Sequence, residues 1–454
     1  DSLFVSRISE NALTAVSLAF PIQNLMIAIA TGTGVGINAL LSRSLGENNQ
    51  KEANEAAKNG IFLSFLSSIA FLFLGLLGSN YFFHTQTDIA EIINDGTVYL
   101  EICTVFSFGL FGAITFERLL QATGRTLYSM FTQIVGAVIN IILDPILIFG
   151  LFGLPKLGIA GAALATIIGQ IIGCILSAII NVKKNKEISL DMKGFRPNLK
   201  TIKRIYSVGI PSIIMASISS IMTFGINNIL MFFSSTATAV FGIYFKLQSF
   251  IFMPVFGLNN GMIPIIAYNY GAKRRKRITH TIKLSAVYAT IIMIIGFFIF
   301  QTFPDRLLMM FKASEHMFSI GIPALRIISV SFIFAGTSII LSTVFQALDK
   351  GIFSLIISLV RQLIILLPLA YALSNISLDA LWLAFPISDF LALLLSFFFL
   401  YQVYRGDVSR STEGSGLGLS IAQTLTELMQ GKFEIYLDGD LFLKSSRVFF
   451  HLLL

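Results

Sequence analysis

The chain has 454 residues, of which 55% are hydrophobic and 12% charged, with a mean hydropathy of +0.81. A soluble domain carries about a quarter charged residues, so this chain cannot cover its own surface with polar groups and lipid must be part of its solvent. The net charge of +8 raises nucleic acid as a partner, but the basic residues sit in short loops between apolar runs, a placement that sets membrane orientation instead.

Runs of roughly 20 apolar residues predict spans near 12–40, 59–80, 97–116, 126–152, 158–181, 205–232, 237–268, 280–302, 318–345, 350–373 and 379–403. Residues 1–5 read as the end of a twelfth. Pro21, Pro254 and Pro264 are expected to kink the longest spans. Arg43, Lys51, Lys58, Arg118, Arg125, the basic run of 183–204, the cluster at 273–277, Lys350 and Arg405 fall on one side. Arg7, Lys156, Arg306 and Lys312 fall on the other. The bias is about five to one, and it puts the rich side, with both termini of the intact protein, in the cytoplasm.

A shift of 225 residues superposes Gln23 on Gln248, Gly32 on Gly257, Gly36 on Gly261, Gly46 on Gly271, Gln121 on Gln346, Ala122 on Ala347 and Ser129 on Ser354. A shift of six spans returns to the same membrane side, so the two halves are parallel repeats. The expected fold is all-α and integral to the membrane, with two six-helix lobes at 1–190 and 205–405 joined by a linker at 191–204. Because the span at 205–232 maps its end onto Asp1 and Ser2, about twenty further residues are expected ahead of Asp1.

A charge at mid-membrane costs about 2.5–3.5 kcal/mol on insertion scales, so each one needs a reason. Asn140 and Asp144 share a helix face at a spacing of four, and Pro145 frees the carbonyl of Ile141. Asp1, Asp144 and Thr166 enter their spans to similar depths, which suggests oxygen ligands for a proton or a transient Na⁺; the alternative is a structural hydrogen-bonded network. Desolvation raises a carboxylate pKa and a bound cation lowers it, so the two ions would compete. In the second half the mid-span charges are Lys246, Arg361 and Asp389. Arg361 and Asp389 reach a common depth from opposite sides and are expected to pair; substrate contact is the alternative. Gly32, Gly34 and Gly36 lie inside a span, where glycines allow close helix packing rather than phosphate binding. Cys103 and Cys174 lie inside apolar runs and read as packing residues, and the four histidines show no ligand spacing, so no resident metal and no cofactor are expected.

The chain resembles the multidrug and toxic compound extrusion (MATE) family, in its bacterial drug-exporter branch. The residues that carry the resemblance are 1–7, 11–16, 121–124, 140–145, 158–166 and the Gly209-Ile210-Pro211 of the second half. It implies a transporter rather than an enzyme, in the plasma membrane of a bacterium, acting as a monomer on small organic and often cationic compounds by H⁺ or Na⁺ antiport with alternating access. It also implies that Asp1, Asn140 and Asp144, with Thr166, form the coupling site. The second-half acidic residues of some members are missing here. A lipid-linked saccharide flippase of the same fold group is the alternative.

After Arg410 the composition changes. Residues 411–422 resemble the second glycine box of a sensor histidine kinase ATP-binding domain, and 433–442 read as a hairpin around Asp438-Gly439. A piece as small as 411–454 cannot bury a core. It lacks a phospho-accepting histidine region and an asparagine box, so an α+β remnant without ATP binding is expected and a working kinase is not.

Overall fold

The computed structural model describes residues 2–311, 314–410, 432–435 and 448–451. Helices follow in the order α1 (Ser2–Val5), α2 (Glu10–Gly46), α3 (Gln50–Gln86), α4 (Ala90–Val105), α5 (Phe108–Ala122), α6 (Thr126–Phe149), α7 (Ile159–Lys184), α8 (Leu199–Met231), α9 (Ser235–Gly271) and α10 (Arg275–Thr302). Then come α11 (Pro304–Met309), α12 (Glu315–Ser329), α13 (Ser331–Ala347), α14 (Gly351–Leu359), a π-helical stretch (Val360–Leu366), α15 (Leu367–Ser374), α16 (Leu378–Trp382) and α17 (Ala384–Arg410). Among the described residues, nine helices are long and apolar enough to cross a membrane, and eleven if each of two bent pairs counts as one span. Large apolar side chains such as Phe65, Leu77, Leu127, Phe131 and Phe224 stand exposed along them, a surface that water does not tolerate at this extent and lipid does.

The repeat is written into the backbone. Helices α2 and α9 are each 37 residues long and start 225 residues apart. Ser9 caps the first by accepting from the Ala12 N–H at 3.0 Å, and Ser234 caps the second from the Ala237 N–H at the same distance. Each helix ends in a left-handed residue, Asn48 and Lys273, both at φ 55°. The same offset relates Gly124 (φ 79°) to Asp349 (φ 60°).

Two sharp bends fall at breaks between helices. Helices α2 and α9 run on across Pro21, Pro254 and Pro264. Bends of 42° and 44° separate α4 from α5 and α12 from α13, without proline at either break. Around Ser107 the backbone switches to three-residue bonds, Ser107 N–H to Thr104 O and Gly109 N–H to Phe106 O. Val330 N–H to Ile327 O and Ile333 N–H to Val330 O repeat this in the second half. Such tightened turns break the axis as effectively as proline does. The π-helical stretch ends two residues before Pro368, whose missing N–H leaves the carbonyl of Ile364 without its usual helical donor.

Two compact units result, 1–217 and 218–454. The boundary falls inside α8, whereas the sequence puts it in the 191–204 linker, because the first half of α8 packs tightly on α2. A Cβ on Gly36 would lie 2.0 Å from the Ile205 carbonyl oxygen, and one on Gly32 would lie 2.4 Å from the Ile213 side chain. Gly36→Leu therefore has no space to fill, and we expect loss of folded protein, more than about 4 kcal/mol, read as disappearance of the monodisperse peak in detergent chromatography.

Within the first unit the 185–198 segment is strapped to α3 and the α5–α6 turn. Arg125 Nη2 donates to both Glu187 carboxylate oxygens at 2.9 and 2.8 Å. The Ser189 N–H donates to Asn54 at 2.8 Å and the Asn198 N–H to Asn59 at 3.0 Å, and Arg204 pairs with Glu52. Partial burial pushes the Glu187 carboxyl up, but the Arg125 guanidinium together with backbone N–H donors at 186 and 187 more than offsets it, and the net shift is downward. A depressed acid contributes above its unfolded pKa, so the strap is intact at neutral pH and weakens as pH falls through the carboxylate range. Arg125→Ala is expected to speed tryptic cleavage within 183–204 by about fivefold or less, as suits a half-exposed pair worth up to ~1 kcal/mol.

In the second unit Phe241, Tyr244, Phe300, Phe332 and Phe385 build an aromatic core. At the C-terminal end, β1 (Lys432–Ile435) pairs antiparallel with β2 (Val448–His451), Ile435 opposite Val448. The partner of 432–435 is 448–451; the turn expected at Asp438-Gly439 lies outside the described residues. The glycine box of 411–422 lies outside the described residues.

Candidate functional site

The first unit gathers its polar side chains where α6 and α7 touch backbone to backbone. Glycines make that approach possible. A Cβ on Gly161 would lie 2.5 Å from the Leu147 carbonyl oxygen, and one on Gly169 would lie 2.7 Å from that of Gly136. With the helices this close, Asn140 Nδ2 on α6 donates to Thr166 Oγ1 on α7 at 3.4 Å, and the Thr166 hydroxyl donates to the Ala162 carbonyl at 3.1 Å. One turn above Asn140, Asp144 is 1% exposed. Helix α4 supplies Tyr99 and Cys103, both bonded by Gln23 Nε2 of α2, at 3.1 Å to the phenol oxygen and 3.5 Å to Sγ. Tyr99 lies within electrostatic range of Asp144. Asp1, the fourth residue assigned to this site by sequence, lies outside the described residues; the α1 stub that follows it packs on α2 and α6.

This set combines hydroxyl and amide groups, the Cys103 thiol and one buried carboxylate. An ionised carboxylate in such a place costs several kcal/mol unless compensated. Among the described residues no three of His, Cys, Asp and Glu converge to hold a metal ion.

The second unit holds its charges differently. Arg361, in the π-helical stretch, donates through Nη1 to Asp389 Oδ1 of α17 at 2.8 Å. The Ser331 hydroxyl bonds both Asp389 and the buried Tyr244, and Gln362 accepts from Ser219 at 3.2 Å. Lys246 stands exposed on α9.

A second polar cluster in the first unit is absent from the sequence-based expectations. Arg118, counted there as a loop cation, is 9% exposed because α5 continues past the end of the apolar run at residue 116. Its side chain packs where a Cβ on Gly34 would be 2.8 Å from Cγ, and Nη1 donates to Gln121 Oε1 at 2.9 Å. Gln121 Nε2 donates to Ser129 at 2.9 Å, and Thr132 Oγ1 to Glu117 Oε1 at 3.5 Å. The usable signal was the Gln121 and Ser129 matches in the repeat, which mark α5 and α6 positions that face each other.

The MatE family model matches residues 1–146 and 211–372. The chain belongs to the MatE family. Among curated proteins, it is 27% identical over 404 residues to the FAD transporter of Shewanella oneidensis, covering 86% of this chain and 87% of that protein. It is 24% identical over 396 residues to the multidrug export protein MepA of Staphylococcus haemolyticus, covering 87% and 86%. Among solved structures, an outward-facing multidrug resistance MATE family transporter superposes with a TM-score of 0.81 at 23% identity, covering 87% of this chain and 89% of that one. A MOP superfamily transporter from Pyrococcus furiosus gives 0.83 at 23%, covering 90% and 91%. These likenesses establish the two-lobe MatE fold and make the chain a multi-pass membrane transporter of a bacterial kind.

Proposed function

We propose that this MatE transporter exports small organic compounds, cationic ones among them, in exchange for H⁺ or Na⁺, by alternating access. The observation that carries the coupling is Asp144, a carboxylate 1% exposed in the middle of a helix with Asn140 and Thr166 beside it. An ionisable group inside a span is by default a functional site, and a change of charge state would repay such burial. Proton or Na⁺ occupancy there biases the two access states through differential affinity. Asp1 belongs to the same proposed site through its place just ahead of α1. The likeness to MepA proteins, named for multidrug export, supports the substrate class, and lipid and small solutes are the proposed partners of a monomer.

A second possibility, an anionic substrate such as a flavin nucleotide or a lipid-linked saccharide, is favoured by Lys246 and Arg361 in the spans of the second unit and by the relative named an FAD transporter. Expression in a pump-deficient bacterium separates the two. Lowered ethidium accumulation supports cation export. Flavin appearing in the medium with unchanged ethidium supports the anionic substrate instead.

A further inference from the structure

The turns that lead into α3 and α10 are alike in backbone and unlike in charge. Asn48 and Lys273 both stand at φ 55°. The Asn49 N–H donates to the Ser44 carbonyl at 2.9 Å, and the Arg274 N–H to the Asn269 carbonyl at 2.8 Å. The first turn reads Asn48, Asn49, Gln50, Lys51 and Glu52, the second Lys273, Arg274, Arg275, Lys276 and Arg277. All five cations are exposed. Asn49 caps α3 by accepting from the Glu52 N–H at 3.2 Å, whereas Arg274 gives α10 no side-chain cap and the first turn of α10 holds no acid. Cations at that end oppose the helix dipole, so helix stability does not account for them. Orientation does not require them either. The basic run of 183–204 and the single cations of the other turns on that side already outnumber those opposite.

The helix faces beyond the two turns differ in the same sense. On α10, Arg277, Leu284, Tyr288, Ile291 and Ile295 follow one another at spacings of seven, four, three and four, and so share a face. The repeat maps Leu284 and Tyr288, 43% and 50% exposed, onto Asn59 and Leu63, 0% and 4% exposed. In the first unit the chain itself covers this place. The Asn198 N–H donates to Asn59 at 3.0 Å and Asn198 Nδ2 to Glu55 at 2.8 Å. Arg204 pairs with Glu52, and Leu63 shares a buried cluster with Ile188. The acids at 52 and 55 thus receive a segment that brings cationic and amide donors. Their equivalents in the second unit are Arg277 and His280, both exposed. There the face is open and the sign of its charge reversed.

We propose that this end of α10 binds an anionic phospholipid. The headgroup phosphate lies against Lys273, Arg274, Lys276 and Arg277, and the acyl chains run along Leu284, Tyr288 and Ile291. Charge complementarity selects the anion, since guanidinium groups bond phosphate oxygens in pairs and basic clusters at the end of a span attract anionic headgroups. The apolar line that continues from Arg277 selects a lipid, because a soluble anion makes no use of it. Arg277 and Leu284 are about 10 Å apart along the helix axis, so a headgroup at the first places acyl chains beside the second. The place that the 185–198 segment takes in the first unit falls, on the repeat, to residues after α17, and the experiment separates that occupant from lipid. The binding depends on neither the exported compound nor the coupling ion.

The test uses the full chain in phosphatidylcholine vesicles with a trace of photo-crosslinkable phosphatidylglycerol or phosphatidylcholine, the diazirine being on the acyl chain. Mass spectrometry reads the labelling of 284–295. Phosphatidylglycerol is expected to label this stretch about fivefold more than phosphatidylcholine does, the size of one effective cation–headgroup contact. In about 1 M NaCl the ratio should fall to near one, because screening there acts within a few ångströms. The triple variant Arg274→Gln, Lys276→Gln, Arg277→Gln should lose the preference while keeping its phosphatidylcholine labelling, which shows the helix still folded and facing lipid. Arg274→Lys, Arg277→Lys should keep the preference. A wild-type ratio near one overturns the proposal, as does a preference that survives salt or the triple variant. A preference removed by inorganic phosphate at constant ionic strength would mark a free-phosphate site instead. Absence of labelling by either lipid would mean that a protein segment covers the face, and the lipid assignment would fall.

Discussion

Asp144→Asn is expected to abolish gradient-driven export, by about a hundredfold or more, while leaving the protein folded. Asparagine keeps the shape and hydrogen-bonding atoms of the site but cannot change charge. If the ion acts by neutralising Asp144, the variant is locked in the neutral state and the gradient no longer does work on the cycle. Stability should move the other way. A carboxylate that is 1% exposed bears a desolvation cost, and its removal should leave the thermal midpoint equal or higher. A loss of both export and stability would mark Asp144 as a structural member of the α6–α7 contact, the alternative that its bond-rich neighbourhood with Asn140 and Thr166 keeps open.

Arg361→Ala is expected to be the most damaging substitution in the second unit. Asp389 is 8% exposed and accepts from Arg361 at 2.8 Å. With the guanidinium gone, the carboxylate is left buried and without its counter-charge, bonded by Ser331, a situation that costs about 3–5 kcal/mol. The double variant Arg361→Met, Asp389→Leu removes both charges and fills similar volume, so it should recover most of the folded yield. Thermal unfolding in detergent reads both. If the double variant is as unstable as the single one, the loss comes from distortion of the π-helical stretch rather than from an orphaned charge.

Much of the architecture was legible in the sequence because lipid imposes a simple rule, and runs of twenty apolar residues mark the spans from α2 to α17. The repeat was legible from a few identities at one offset, and the structure extends them to features that identity cannot show. Ser9 and Ser234 cap equivalent helices, and Asn48 and Lys273 share a left-handed turn despite unlike side chains. What escaped the sequence lies where tertiary contact outweighs composition. Arg118 looked like a loop cation because the apolar window ends before it, yet the helix runs on and Gly34 leaves room for its stem. The bends at Ser107 and Val330 carry no proline and follow from three-residue backbone bonds. The unit boundary inside α8 follows from Gly32 and Gly36, which the sequence marks as packing positions without naming Ile213 and Ile205 as partners. Of the residues proposed for coupling, Asn140 and Thr166 are in contact and Asp144 is one turn away, while Gln23 and Tyr99 join from helices whose relation to α6 no local pattern reveals.

The most direct test of coupled export through the first unit is ethidium transport by the full chain in proteoliposomes under an imposed H⁺ gradient, an imposed Na⁺ gradient, or neither. The proposal requires uphill ethidium movement under one gradient, its absence without a gradient, and its absence in Asp144→Asn under both. Uphill movement that persists in Asp144→Asn would contradict it and place the coupling elsewhere in the chain.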